Sequence, residues 1–238
     1  DPAQAVVLYA QAAAKNYMPA LTNLGYCYTY GIGVKQDEAK ALECLQKGAQ
    51  QGFPRAQFLL GEAYRRGAGT EQSDQEAVKW YQSAAWLGYP AAQTELGRCF
   101  EFGTGVKENL DQAAKWYREA AEQGHAPGQC CLGFCYESGR GVEQNWEEAV
   151  KWYRTAADQG YPRAQCNLAW CYEYGKGVEQ NFKRAVHWYR QAADQEDPRG
   201  MFCMGVCCKY GRGVEENWEE AVQWYRRAVD AGSVAALC

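Results

Sequence analysis

Residues 164–193, with the sequence AQCNLAWCYEYGKGVEQNFKRAVHWYRQAA, contain the pattern that decides the fold. Gly175 and Gly177 separate two segments of helical length, and glycine can end a helix here because it adopts positive φ without steric cost. Asn181 then offers a side-chain oxygen to the exposed amides of a second helix, which ends at a pair of alanines. The stretch therefore predicts one helix-turn-helix unit, with helix A before the glycines and helix B after them.

The same unit recurs along the chain with a constant step of 36 residues, the separation of Gly175 and Gly211. The glycine pairs are Gly31 and Gly33, Gly67 and Gly69, Gly103 and Gly105, Gly139 and Gly141, Gly175 and Gly177, and Gly211 and Gly213. An alanine column in the same register comprises Ala41, Ala77, Ala113, Ala149, Ala185 and Ala221. A Trp-Tyr column comprises Trp80-Tyr81, Trp116-Tyr117, Trp152-Tyr153, Trp188-Tyr189 and Trp224-Tyr225. Three columns in phase predict an all-α fold, an α/α solenoid of 36-residue repeats.

This register makes the chain a single repeat domain. The predicted repeats are 17–52, 53–88, 89–124, 125–160, 161–196 and 197–232. Residues 1–16 are expected to form helix B of a preceding repeat, and residues 233–238 the start of a truncated seventh. Neither end has the polar face that caps a solenoid, so we expect further repeats or another domain beyond both ends. Glu196 replaces the glycine that ends helix B in the other repeats, and we expect a local irregularity there.

Six side chains that can accept a hydrogen bond occupy the position that should begin helix B. They are Asp37, Ser73, Asn109, Asn145, Asn181 and Asn217. The residue three positions further on can complete a capping box, in which its side chain bonds back to the N-cap amide. These predicted partners are Glu76, Gln112, Glu148 and Glu220.

The composition excludes several classes of ligand. A net charge of -4 at pH 7 provides no basic footprint for nucleic acid or for an anionic membrane surface. No apolar run reaches the length of a membrane-spanning helix. Hydrophobic residues make up 47% of the chain, which is sufficient for a core. With nucleic acid and membrane disfavoured, we expect a protein or peptide partner.

The repeat closely resembles the Sel1-like repeat, a branch of the tetratricopeptide-like α-solenoids. The first copy carries the resemblance through Ala20, Leu24-Gly25, Tyr28 and the loop Gly31-Ile32-Gly33-Val34. The departures from the pattern are Thr70 for the loop valine, Ala169 for the glycine after leucine, and Cys208 for the tyrosine. The resemblance implies a right-handed superhelix of antiparallel helix pairs that serves as an adaptor or scaffold, often in bacterial signalling or host interaction.

The sequence offers no convergent set of catalytic residues. The glycine pairs lack both the Gly-x-Gly-x-x-Gly pattern and the lysine-serine step of phosphate-binding loops. None of the serines begins Ser-x-x-Lys or lies within Gly-x-Ser-x-Gly. His125 and His187 fall in different columns of the repeat, and neither has a partner placed by the repeat geometry. We therefore expect no enzyme, no cofactor and no metal site.

The twelve cysteines need a separate interpretation. Equivalent positions on stacked helices lie about 8–10 Å apart, beyond the roughly 7 Å Cα limit of a disulfide. Secreted, cysteine-rich relatives instead pair cysteines eight residues apart, and this chain lacks the first cysteine of each such pair. The residues there are Ala13, Ala49, Ala85, Ala121, Ala157 and Val229. We expect reduced packing residues, although Cys131 with Cys135, and Cys203 with Cys207, leave adventitious metal binding or oxidation open.

In the tetratricopeptide-like folds that the repeat resembles, helix A lines a concave groove. Projected onto this sequence, the groove carries aromatic side chains, early arginines and a central series of glutamates. The predicted peptide-binding residues are Tyr26, Tyr30, Arg65, Arg66, Arg98, Glu101, Phe102, Phe134, Glu137, Trp170, Glu173, Tyr174 and Tyr210. Aromatic and arginine side chains dominate binding hot spots, and a partner with basic residues would complement the glutamates.

The predicted function is therefore a scaffold or adaptor that binds a protein or peptide through the helix A surface. A non-catalytic spacer or oligomerisation arm of a larger protein is the first alternative. A cysteine-dependent metal-binding or secreted disulfide-rich protein is the second, and it rests on the cysteine count alone. The missing disulfide spacing favours a cytoplasmic location, with a secreted or periplasmic one as the alternative.

Overall fold

The computed structural model describes residues 1–15 and 17–232, and every regular element within these ranges is a helix. The helices are α1 (Pro2–Ala14), α2 (Met18–Tyr30), α3 (Glu38–Gln50), α4 (Pro54–Arg66), α5 (Asp74–Trp86), α6 (Pro90–Phe102), α7 (Leu110–Glu122), α8 (Ala126–Ser138), α9 (Trp146–Asp158), α10 (Pro162–Tyr174), α11 (Phe182–Ala193), α12 (Pro198–Tyr210) and α13 (Trp218–Asp230). Even-numbered helices are helix A of a repeat, and odd-numbered ones are helix B. The all-α solenoid predicted from the sequence is confirmed. The predicted start of a seventh repeat at 233–238 lies outside the described residues.

The chain divides into two compact units, Asp1–Ala120 and Ala121–Cys238, which we call unit 1 and unit 2. Within unit 1, α2 packs on α1 before it and on α3 after it, and α4 packs on α3 and α5. Within unit 2, α10 packs in the same way on α9 and α11, and α12 on α11 and α13. Each of these helices A is therefore held between two helices B, which leaves one side of helix A for the surface.

The N-cap predictions are confirmed, whereas the capping boxes are wrong. Asn145 Oδ1 accepts the Glu148 N–H at 3.0 Å, as an N-cap should. The Asn145 N–H, however, donates to Tyr136 O of the preceding helix A at 2.9 Å. Because that amide is already satisfied, the Glu148 side chain does not bond back to it and instead pairs with Lys151. The same cap-to-helix A bond forms in the other repeats, so it ties the two helices of each repeat together.

Each glycine of a pair has its own structural reason. Gly175 is the left-handed C-cap of α10, with φ of 64°. Gly177 also has positive φ, and a Cβ there would lie 2.3 Å from the Trp146 carbonyl oxygen. The loop of one repeat therefore lies directly on the first turn of the preceding helix B, where only glycine fits. At the irregular site, Glu196 adopts φ of 60° without being glycine, and α11 ends at Ala193.

In four of the six repeats the core is built around a buried helix B tyrosine, whereas Leu45 takes this position in the first repeat and the tyrosine of the last repeat, Tyr225, is only half-buried. The series comprises Tyr81, Tyr117, Tyr153 and Tyr189. The ring packs on a helix A glycine: a Cβ added to Gly133 would lie 2.7 Å from the ring of Tyr153. The repeat pattern therefore has glycine after leucine, because a side chain at that position would crowd this ring. Ala169 occupies that position in α10.

Candidate functional site

The predicted groove residues differ widely in exposure. We call the surface formed by the outward side chains of the even-numbered helices the helix A face, and describe it for each unit separately. The exposed members are Tyr30, Arg65, Arg66, Phe102, Tyr174 and Tyr210. The half-buried members are Tyr26, Arg98, Phe134, Glu137 and Trp170, and the buried ones are Glu101 and Glu173. The structure thus separates an aromatic surface from a set of internal carboxylates.

The most exposed large side chains of the face share one position, the last residue of helix A. Tyr30 is 48% and Phe102 65% exposed in unit 1. Tyr174 is 51% and Tyr210 57% exposed in unit 2. Each precedes a left-handed glycine that turns the chain away, so no following helical turn covers the ring.

In unit 1 the cationic side chains of this face are held by neighbours in the same unit. Arg55 donates to Asn23 Oδ1 at 2.8 Å and lies 5.3 Å from the ring centroid of Tyr26. Arg66 lies 5.9 Å from the centroid of Tyr30, and the Tyr26 and Tyr30 rings are 4.6 Å apart. These cation–π contacts cover part of both the guanidinium groups and the rings.

Glu62 is the centre of the charged cluster in unit 1. It accepts two hydrogen bonds from Arg65, at 2.8 and 3.1 Å, and one from the hydroxyl of Tyr81. Burial alone would raise the pKa of Glu62, but the bonds from Arg65 and Tyr81 outweigh it and hold the pKa below its usual value. In the same unit, Arg98 pairs with Glu95 at 3.3 Å.

The three glutamates predicted for the groove are acceptors for the buried tyrosines. Tyr117 donates to Glu101 at 2.6 Å, Tyr153 donates to Glu137 and Tyr189 donates to Glu173 at 2.9 Å. Burial, reinforced by Glu137, raises the pKa of Tyr153, so its hydroxyl stays a donor. The signal in the sequence was a glutamate 16 residues before the tyrosine, and sequence reasoning missed it. A role of these glutamates in binding a partner stays a prediction.

Glu173 has a second internal partner. Its Oε1 accepts a bond from Arg212 at 2.7 Å, and its side chain is only 9% exposed. Arg212 stands in the loop of the next repeat and also lies 5.4 Å from the ring centroid of Tyr210. Both oxygens of Glu173 are therefore used, one by Tyr189 and one by Arg212. The bond to Arg212 links two consecutive repeats of unit 2.

The aromatic part of the face in unit 2 includes a tryptophan that sequence reasoning did not select. Trp146, the first residue of α9, stacks on Trp170 with ring centroids 5.8 Å apart and an interplanar angle of 26°. Trp170 in turn contacts Tyr174 at 5.0 Å, and Lys176 lies 5.8 Å from Trp146. Three rings from two helices thus form a continuous aromatic patch.

Two exposed arginines complete the face of unit 2. Arg163 and Arg199 occupy the second residue of α10 and of α12, the position that Arg55 has in α4. Within the described part of the chain, neither guanidinium takes part in a hydrogen bond, ion pair or ring contact. Sequence reasoning missed this column because arginine occurs in only three of its six copies.

The cysteines of the described ranges are thiols, and all of them except Cys44 lie on helices A. Of the twelve, Cys238 is outside the described ranges and the other eleven form no disulfide. Burial raises the pKa of Cys130 and Cys171 to about 12 and that of Cys203 to about 11. No group of three or more histidine, cysteine or acidic side chains that could hold a metal ion occurs among the residues described. Likewise, none of the described helices combines the length and apolarity that crossing a bilayer requires.

Paired helices repeated in register, capped by glycine turns and packed on buried tyrosines, define an α-solenoid. The chain belongs to the Sel1 repeat family. Sel1 repeats match residues 1–17, 19–53, 54–89, 90–125, 126–161, 162–197 and 198–233. No curated protein matches the sequence.

Solved structures show the same fold. A protective antigen of uropathogenic Escherichia coli with an SLR fold is 33% identical with a TM-score of 0.83; the match covers 97% of this chain and 50% of the antigen. A Sel1 repeat protein of Oxalobacter formigenes is 32% identical with a TM-score of 0.83, and 94% of this chain matches 96% of that protein. An immunity protein of Pseudomonas aeruginosa, Pa5087, is 22% identical with a TM-score of 0.59 over 97% of this chain and 83% of its own. This chain therefore spans half of the E. coli antigen.

Proposed function

We propose that this chain is a protein-binding scaffold that holds a peptide segment of a partner on its helix A faces. The observation that carries the proposal is the exposure of a large aromatic side chain at the end of helix A in both units. Burying such rings against a partner recovers hydrophobic free energy, and few rotamers have to be fixed when they bind. Rings of this kind are the usual anchors of a binding hot spot.

The state of the cysteines also favours binding over catalysis. A thiol has to lose its proton to act as a nucleophile or as a metal ligand. Cys130 and Cys171, with a pKa of about 12, remain protonated at neutral pH. A cysteine-dependent activity consequently has the least support among the three candidate functions.

The proposal is tested by selecting a displayed peptide library on the immobilised chain and measuring the affinity of the best peptides by titration calorimetry. The double variant Tyr174→Ser and Tyr210→Ser should weaken peptides that select unit 2 by at least about tenfold, the loss typical of hot-spot aromatics. The matched control is Trp86→Ser, which removes an exposed ring, 72% against 51% and 57% for the two tyrosines, from helix B of unit 1 and should leave affinity unchanged.

Two results would contradict the proposal. One is a library from which no peptide is enriched, and the other is an equal loss of affinity in the Trp86→Ser control. Either result would favour the spacer or oligomerisation arm, which requires no peptide-binding residues on the helix A face. Light scattering on the intact chain, with and without the serine substitutions, then measures whether the exposed rings mediate self-association.

A further inference from the structure

The helix A face of unit 2 carries two exposed arginines, one of which has an acidic neighbour in sequence. Asp197, the N-cap of α12 two residues before Arg199, uses its Oδ1 to accept bonds from the Gly200 N–H at 2.8 Å and from the Cys166 thiol at 3.5 Å. Arg163 and Arg199 are exposed, and no ion pair within the described ranges involves either of them. Helices α10 and α12 contact each other, so the two guanidinium groups project from adjacent helices. An exposed pair of cations on one face favours an anionic ligand, because the field of the two charges adds at the surface between them.

The carboxylates of the same face do not cancel this charge. Glu173 is buried and uses its two oxygens for Tyr189 and Arg212. Glu137 accepts from the hydroxyl of Tyr153. The charges of these two glutamates are therefore stabilised by hydrogen-bond donors inside the fold, whereas the guanidinium groups of Arg163 and Arg199 are at the surface. The exposed part of the face in unit 2 therefore carries the two arginines and the aromatic rings, with the half-buried Asp197 two residues before Arg199.

The aromatic patch lies further along the same helix. Trp170 follows Arg163 by seven residues in α10, a distance of roughly 10 Å along the helix axis at 1.5 Å per residue. An extended segment that runs across α10 and α12 would point successive side chains to opposite sides. Alternate residues would then face the arginines, and the residues between them would face Trp170 and Tyr174.

We propose, building on the scaffold function above, that unit 2 binds an extended acidic segment of its partner in which acidic and apolar residues alternate. Residues i and i+2 of such a segment lie about 6.6 Å apart, whereas packed helices lie about 8–10 Å apart. The arginine side chains are long enough to bridge this difference and reach both carboxylates. The carboxylates pair with Arg163 and Arg199, and the apolar side chains cover Trp170 and Tyr174. Arginine suits this role because its planar guanidinium binds carboxylate with two parallel hydrogen bonds.

The test uses three fluorescein-labelled peptides with blocked ends, Gly-Glu-Phe-Glu-Phe-Glu-Gly and its counterparts with Gln or Lys in place of Glu. Anisotropy titrations against the full chain should show the Glu peptide binding about tenfold more tightly than the Gln peptide, with an advantage that declines as salt is added. The double variant Arg163→Gln and Arg199→Gln should abolish this advantage. It should leave the affinity for the Gln peptide unchanged.

The matched control is the double variant Lys183→Gln and Arg226→Gln, which removes two exposed cations from helices B of the same unit. It changes the net charge equally and should retain the preference for Glu. Equal binding of the Glu and Gln peptides, or an equal loss in this control, would overturn the acidic ligand while leaving the scaffold function intact. Tighter binding of the Lys peptide would overturn it in favour of a basic partner.

A labelled oligothymidine of twelve nucleotides separates carboxylate from phosphate recognition. Binding as tight as that of the Glu peptide, and equally dependent on both arginines, would show that the face recognises nucleic acid and would overturn the proposal. If none of the three peptides binds, the acidic segment is refuted. The scaffold function then depends on the library selection alone, which makes no assumption about charge.

Discussion

Units 1 and 2 place arginine at the same position of helix A, but among the described residues only the arginine of unit 1 has a hydrogen bond and a ring contact. Arg55 donates to Asn23, which stands 32 residues earlier in the previous helix A. The residues at the equivalent positions in unit 2 are Cys131 for Arg163 and Asn167 for Arg199. Asn167 is buried, and its amide donates to the Cys130 sulfur at 3.8 Å instead. Asparagine at this position thus binds the arginine in unit 1, whereas the equivalent Asn167 of unit 2 is turned to a sulfur and leaves Arg199 unbonded among the described residues.

The largest effect on stability is expected from replacing Glu173, whose charge is paired inside unit 2. Glu173→Leu should lower the free energy of unfolding by about 3 kcal/mol, because it removes the carboxylate that accepts from the Tyr189 hydroxyl and pairs with Arg212. Glu173→Gln retains an acceptor and should cost about 1 kcal/mol. Urea unfolding followed by circular dichroism measures both. Equal costs for the two variants would show that the charge and hydrogen bonds of Glu173 contribute little.

A smaller effect is expected from the tyrosine donors, and it should differ between the units. Tyr153→Phe should cost about 1.5 kcal/mol, because the carboxylate of Glu137 loses its hydroxyl donor. Tyr81→Phe should cost about 1 kcal/mol, since Glu62 keeps both bonds from Arg65. Tyr30→Phe, on the exposed surface, serves as the control and should change stability little. A cost for Tyr81→Phe above that of Tyr153→Phe would contradict this order.

Unit 1 should also show a pH signature. The pKa of Glu62 is lowered in the folded chain, so its carboxylate stabilises the fold fully above the unfolded pKa of about 4.3. That contribution is lost as the pH falls through the lower, folded pKa. The stability difference between the wild type and Glu62→Gln should therefore be constant from pH 7 to pH 5 and shrink below about pH 4. A difference that grows on acidification would contradict the lowered pKa.

The smallest effect on stability is expected from the arginines, and it should differ between Arg55 of unit 1 and Arg163 of unit 2. Arg55→Ala should cost about 0.5 kcal/mol, because it removes the bond to Asn23 and the contact with Tyr26. Arg163→Ala should change stability by less, since it removes no hydrogen bond, ion pair or ring contact among the described residues. Thermal unfolding of both variants in parallel checks the difference. A larger loss for Arg163→Ala would indicate an internal role for its guanidinium and weaken the case for an acidic ligand.

Much of the fold could be predicted because its signals are local. Gly175 and Asn181 act within one helical turn of their own position, through backbone φ and a side-chain cap, and both behave as the pattern indicates. The irregular turn after α11, where Glu196 has positive φ, was foreseeable on the same basis. The capping boxes failed for the opposite reason. Whether Glu148 bonds back depends on the Asn145 amide, and a carbonyl of another helix had already engaged that amide.

The residue types of the site could be predicted from the sequence, but the side chains that each residue contacts could not. A 36-residue period assigns Glu173 and Tyr174 to helix A, and the sequence alone determines that both lie near its end. Only the tertiary structure decides that Glu173 turns inward to Tyr189 and Arg212 while Tyr174 stays 51% exposed. Adjacent helical residues point about 100° apart, so which of them meets a neighbour depends on how the helices pack. The repeat was therefore determined by sequence spacing, and the chemistry of its surface by the packing of one repeat on the next.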